Sequence, residues 1–228
     1  MRSVHTVEDR EFVFVMPAFG AGTDGIEITK GIVNDVLNTR FDNGMYEDVT
    51  GDLSFLGAKD KIRKWIKMGH TSILEHFVFS FYISMSRVAS HELVRHRIAS
   101  YTQKTLRVER SFTDDDFVIP PQVKDEDLDD WIKDMIDAAK RYDRWLAKGY
   151  SVDVARRHIP DGFRTGLRMT INARSLRNLL QLRLDPASDF EIREIARQMY
   201  EILDSFGFGF LFEDLKSVKQ LEEELMKT

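Results

Sequence analysis

The sequence predicts an α+β fold, a mixed sheet flanked by helices, within a single domain spanning residues 1–228. Three observations lead there. Short segments dense in β-branched and aromatic residues (12–18, 77–85 and 165–171) stand apart from longer stretches with apolar residues at helical spacing. The two kinds follow one another without the regular strand–helix–strand units of a parallel sheet. A chain of 228 residues, 43% hydrophobic and 31% charged, can bury one sizeable core.

In chain order, FVFVMPA (12–18) forms an early strand. AKDKIRKWIKM (58–68) places Ile62, Trp65 and Ile66 on one helical face and stops at Gly69, a residue type that ends helices. FVFSFYISM (77–85) reads as a buried strand, and Ser86 caps a helix running from Arg87 to about Ile98. Residues 113–130, acidic and punctuated by Pro120 and Pro121, make a surface connection. A helix follows from about Leu128 to Ala147, with Trp131, Met135, Ala138, Tyr142 and Trp145 on one side, ending near Gly149. Ser151 caps a short helix that Pro160 closes. TGLRMTI (165–171) is a strand, NARSLRNLLQLRL a helix, FEIREIARQMYEIL (190–203) an amphipathic helix, and the charged tail from Glu213 is helical.

Several function classes are excluded. No apolar run reaches the roughly 18 residues of a membrane helix. The opening MRSVHTVEDREF has no apolar signal stretch, so no membrane association is expected. The absence of cysteine rules out disulfides, cysteine-held metals and thiol catalysis, and fits a cytoplasmic protein. His91 and His96 lie five apart, about 140° around a helix, too far to converge on one ion; no metal is expected. GAGTDG (20–25) matches a phosphate-loop pattern without the strand and helix that would frame it, and reads as a flexible turn. No serine has a convincing base partner.

The charge distribution is more informative than the net charge of −5. Residues 87–110 carry Arg87, Arg95, Arg97, Lys104, Arg107 and Arg110 against Glu92 and Glu109. Residues 156–183 carry Arg156, Arg157, Arg164, Arg168, Arg174, Arg177 and Arg183 against Asp161 alone. Arginine dominates both windows, and its planar fork grips phosphate and carboxylate with paired hydrogen bonds. Two solvated helix faces would mix lysine with glutamate, so a phosphate-rich ligand is the better reading. The run RHRIASYTQKTLR (95–107) starts on a helix and passes into a polar loop whose Ser100, Tyr101, Thr102, Gln103 and Thr105 suit the sugar and base of a nucleotide. A nucleic-acid binder would interleave aromatic residues for base stacking, and Tyr101 stands alone; no nucleic acid is expected. On the helix from Asn172, Arg174 and Asn178 share one face while Leu176, Leu179 and Leu180 serve the core.

These residues resemble a known family. Arg95-His96-Arg97, seven residues and then the hydroxyl of Thr105 is similar to the RHR-x7-S signature of flavin-dependent thymidylate synthases. GHTSILEH (69–76), FVIP (117–120) and Asn172-Ala-Arg174-Ser175 with Asn178, Leu182 and Arg183 resemble three further blocks of that family, in its order, over roughly residues 60–205. The resemblance implies a cytoplasmic α+β homotetramer with active sites shared between subunits. It implies FAD as cofactor and methyltransferase chemistry that converts dUMP to dTMP, with methylenetetrahydrofolate and NADPH as co-substrates. Carried over by position, His70, Ser72, Glu75, Arg95, His96, Arg97, Asn172, Arg174 and Asn178 would hold FAD. Glu92, Arg95, Gln103, Thr105, Arg107, Arg156 and Arg183 would line dUMP, and Arg183, Thr105 and His70 would be the catalytic positions, with Arg183 against the pyrimidine.

The chain departs from the family pattern in five places. Thr105 replaces serine, Val108 a tyrosine and Glu92 a glutamine. DPASDFEI follows Arg183 in place of His-Ala-Gln, and Asn38-Thr39-Arg40-Phe41 stands for an Ala-Arg-Val-Ser block. The alternative is therefore a divergent paralogue that binds flavin or nucleotide without synthase activity. Glu92 bears on this: on a helix from Arg87 to Ile98 it shares a face with Arg95, and it pairs either with that residue or with Arg87 or Arg110.

Overall fold

The computed structural model describes residues 14–17, 29–30, 32–33, 55–107 and 116–226. Four strands, β1 (Phe14–Pro17), β2 (Val78–Ser86), β3 (Ser100–Gln103) and β4 (Arg164–Asn172), form a sheet in the order β1-β2-β4-β3. Every pairing in it is antiparallel, with Phe81 opposite Met169 and Thr102 opposite Arg168. The expected mixed sheet is corrected on this point. A parallel pair needs a crossover helix, and crossovers bury both faces of a sheet; here one face stays open. Phe79, Phe81, Ile83 and Met85 of β2 and Leu167, Met169 and Ile171 of β4 point into the core, while Val78, Tyr82 and Arg168 are exposed. The strand read as buried is thus buried on one side only.

Helices α1 (Phe55–Lys67), α2 (Arg87–Leu93), α3 (Leu128–Ala147), α4 (Val152–Ala155), α5 (Ala173–Arg183), α6 (Phe190–Ser205) and α7 (Lys216–Leu225) accompany the sheet, with short 3-10 segments between them. In α1, Ala58 and Ile62 are fully buried and Trp65 and Ile66 pack on the same core. The helix ends where Gly69 takes φ +80 and its N–H reaches the Ile66 carbonyl. Gly149 (φ +83) plays the same part after α3. The main core gathers the inner sheet face, α5 and α6, with Phe208 edge-on to Phe77 and Phe79. A second cluster joins Phe117, Ala139 and Phe163. The 113–130 connection is therefore only partly surface, because Phe117 and Val118 are buried and Phe117 bridges to Phe163. Ser151 precedes α4 as expected, but its backbone carbonyl rather than its side chain takes the Val154 and Ala155 N–H groups.

The helix expected to run to Ile98 stops at Leu93. Its last turns tighten, with Arg95 N–H on the Glu92 carbonyl and His96 N–H on the Leu93 carbonyl, and the Tyr101 hydroxyl donates to the Leu93 and His96 carbonyls. Acceptors that would continue the helix are thereby taken from outside it, and the chain turns into β3. The RHR-to-Arg107 run consequently holds an edge strand where a loop was expected. GAGTDG, Asn38–Phe41, Val108 and Arg110 lie outside the described residues, as do residues 12, 13, 18 and 113–115 of the predicted strand and connection.

Candidate active site

Helix α5 organises the site. Asn172 caps it, Oδ1 accepting from Ser175 N–H at 2.9 Å, and Leu176, Leu179 and Leu180 anchor its inner face in the core. Arg174 and Asn178 remain exposed on the outer face, as the i, i+4 spacing requires. The first turns pack against the 3-10 segment Thr71–His76, where Arg174 Nη1 meets Glu75 Oε1 at 2.5 Å. Ser72 on that segment and His70 just before it are exposed. Glu75 and Arg174, 99 residues apart, are thus brought together beside His70 and Ser72.

Arg183 closes the other end of α5. Its Nε donates to His96 Nε2 at 3.0 Å and its Nη1 to Glu92 Oε2 at 2.7 Å. Because Nε2 accepts, the ring proton of His96 belongs on Nδ1 and the imidazole is neutral. Burial, and then the charge of Arg183, lower the His96 pKa. Glu92 therefore pairs with Arg183 and, among the described residues, with neither Arg95 nor Arg87; the alternative partner Arg110 lies outside them. The expectation is corrected because α2 ends before Arg95, which removes the shared helical face, while Arg183 arrives from across the fold. Arg95 and Arg97 are exposed beside His96, with no ion pair among the described residues.

A third group follows β3. Gln103 Nε2 donates to Ser90 Oγ at 3.0 Å and Thr165 Oγ1 at 3.4 Å, so this side chain is partly committed to the fold. Tyr101, read from sequence as a ligand-facing hydroxyl, turns inward to the Leu93 and His96 carbonyls, and burial pushes its pKa up to about 12. Thr105 is exposed, its Oγ1 accepting from Arg107 N–H. Arg107 and Arg156 converge on one carboxylate oxygen of Asp153, at 3.3 and 2.9 Å. Two cations of the proposed anion site thus meet from separate segments.

The structure does not gather all predicted residues at one point of a single chain; it sets them in these three groups. Nor do all window arginines face a ligand. Arg177 holds the Leu211 carbonyl and Asp214, whose pKa it lowers, and Arg164 reaches the Phe117 carbonyl. Sequence reasoning missed Asp153, whose i, i+3 spacing to Arg156 was the available signal. It also missed Glu191, for which no local signal exists: its partner is 105 residues away. Glu191, 3% exposed, accepts from Ser86 N–H at 2.6 Å and Ser86 Oγ at 2.5 Å, bracing the start of α2; its burial raises its pKa.

Chemically, the α5 face offers guanidinium, imidazole, amide and hydroxyl donors, a set that fits a large anionic ligand carrying a heteroaromatic ring. A helix of 11 residues spans about 16 Å, enough to hold one such ligand at both ends.

The comparisons with known proteins agree in direction. A family model described as thymidylate synthase complementing protein matches residues 37–206. The chain is similar to a flavin-dependent thymidylate synthase of Pyrococcus abyssi, 42% identical over 150 residues that cover 63% of this chain and 62% of that protein. The corresponding protein of Saccharolobus solfataricus is 41% identical over 150 residues, 62% of this chain and 57% of that one. The chain thus matches about three fifths of the length of these curated relatives. A crystal structure of thymidylate synthase X from Helicobacter pylori with FAD and dUMP has a TM-score of 0.66 and 25% identity, covering 90% of this chain and 99% of that one.

Proposed function

The chain belongs to the flavin-dependent thymidylate synthase family, and from that premise we propose that it binds FAD and dUMP and methylates dUMP to dTMP. The one-carbon unit comes from methylenetetrahydrofolate and the reducing equivalents from NADPH. The observation that carries this reading is the meeting of both arginine-rich windows at Arg183, within reach of His96 and Glu92. The redox chemistry, hydride transfer, comes from the flavin when bound.

The chain's own residues bind and polarise. Arg174, Arg95 and Arg97 neutralise the FAD diphosphate, and His70, Ser72, Glu75, His96, Asn172 and Asn178 supply the remaining polar contacts to the cofactor. Arg107 and Arg156, already gathered by Asp153, take the dUMP phosphate, with Gln103, Thr105 and Arg95 beside them. Arg183 faces the pyrimidine, where a guanidinium held in place stabilises negative charge developing on the ring. His70 and Thr105 stand with it at the reacting centre. Three groups spread over the surface of one chain fit a site completed between copies. In this reading the protein acts as a homotetramer of single-domain, cytoplasmic subunits without nucleic-acid partners. Among the described residues no helix is long and apolar enough to cross a membrane.

Purification with FAD retained, together with a change in the flavin absorbance on adding dUMP, tests this binding arrangement. A colourless protein that takes up neither ligand would overturn it.

A further inference from the structure

Ser90 lies on the inner face of α2, fully buried, and its hydroxyl donates to the Arg87 carbonyl at 2.8 Å. A carbonyl can only accept, so this bond uses the one proton of Ser90 Oγ, and any further group at that oxygen must donate to it. The side chain that approaches is Gln103 of β3, at 3.0 Å. Its amide oxygen would meet only lone pairs there, so the nitrogen faces Ser90. That nitrogen also reaches Oγ1 of the buried Thr165 on β4, at 3.4 Å. Both amide protons are thus spent inside the fold. Oε1 points away from these two partners on a half-buried side chain, and no bond among the described residues engages it.

Resting on the reading that Gln103 lies beside dUMP, we propose that Ser90 and Thr165 are positioning residues: they fix the Gln103 amide so that it turns its carbonyl oxygen, and not its nitrogen, to the nucleotide. A fixed acceptor selects a donor. The phosphate dianion has none to offer. Gln103 stands two residues before Thr105 and four before Arg107, on the phosphate side of the ligand, so the donor it takes is the 3′-hydroxyl of the sugar. Without the two hydroxyls behind it the amide turns over freely, and the acceptor is presented for only part of the time. Ser90 and Thr165 are both buried and touch no ligand, so their effect passes through Gln103 alone.

The test measures calorimetric dissociation constants of the FAD-loaded full chain for dUMP and for 2′,3′-dideoxy-UMP, which lacks the hydroxyl, in wild type and Ser90→Ala. It runs above about pH 7.5, where the phosphate is dianionic. Wild type binds the dideoxy nucleotide about fivefold to tenfold more weakly than dUMP, the contribution of a neutral hydrogen bond. Ser90→Ala narrows that gap to within about twofold by weakening dUMP alone, and in turnover the loss falls on KM rather than kcat. A Ser90→Ala protein that keeps the wild-type discrimination, whether both nucleotides weaken together or neither does, overturns the proposal while leaving the proposed function standing. So does a wild type that binds the two nucleotides alike. No dUMP binding by the flavin-loaded wild type removes both. If Ser90→Ala loses FAD or its melting transition, Thr165→Val, which keeps the side-chain shape without the hydroxyl, decides by the same comparison.

Discussion

Replacing Tyr101 by phenylalanine removes one hydroxyl and leaves the ring in place. That hydroxyl donates to the His96 carbonyl at 2.7 Å and the Leu93 carbonyl at 3.0 Å, so a single proton secures the turn carrying Arg95, His96 and Arg97. The Leu93 carbonyl keeps the His96 N–H at 3.1 Å, so the variant strips a partner from the His96 carbonyl alone. One such bond contributes about 1 kcal/mol net. For a chain of this size that lowers Tm by about 2–4 °C. If the loosened turn must be reordered by the ligand, the same 1 kcal/mol weakens FAD binding up to about fivefold. Thermal melting at 222 nm and a fluorescence titration with FAD measure the two effects. Unchanged Tm together with unchanged FAD affinity would refute the claim that Tyr101 holds this turn. A Tm loss above about 10 °C would mean the hydroxyl supports far more than the turn.

Four further outcomes follow from named contacts. Arg183→Ala weakens dUMP binding about tenfold to a hundredfold with FAD retained, since a charge in a partly desolvated site is lost from one ligand; equal dUMP affinity by calorimetry contradicts its assignment. Asp153→Asn frees Arg107 and Arg156 from their shared carboxylate and tightens inorganic phosphate binding several-fold at low salt, an effect that fades by 0.5 M salt as screening grows, roughly as the Debye length shrinks. His96 has a lowered folded-state pKa, so below about pH 6.5 the unfolded chain takes up a proton the folded chain resists. Stability therefore declines as pH falls through that window, and denaturant titrations of wild type and His96→Asn show the difference. Glu191→Ala removes the buried acceptor of the Ser86 N–H and costs about 1–3 kcal/mol in denaturant unfolding.

What the sequence made legible was local. The α5 pattern separated Leu176, Leu179 and Leu180 from Arg174 and Asn178 by helical periodicity, and burial follows that division. Gly69 and Gly149 stop their helices as their residue type suggests. What stayed hidden was non-local. The end of α2 depends on Tyr101, whose hydroxyl could as well have faced a ligand. The partner of Glu92 comes from the far end of α5, and no spacing rule connects positions 92 and 183. Strand direction was hidden too: FVFSFYISM is a near-continuous apolar run, the pattern of a strand covered on both faces, because the apolar Val78 and Tyr82 stand on its open face. The arginine windows pointed to anionic ligands, yet composition could not tell that Arg177 serves Asp214 and Leu211 instead.

The most direct measurement of the central claim is transfer of isotopically labelled carbon from methylenetetrahydrofolate to dUMP by the FAD-loaded protein, with product resolved by chromatography. The account predicts labelled dTMP that requires FAD, NADPH and dUMP together, and its loss or steep reduction in Arg183→Ala. A protein that retains FAD and binds dUMP yet forms no labelled dTMP over many hours would contradict it.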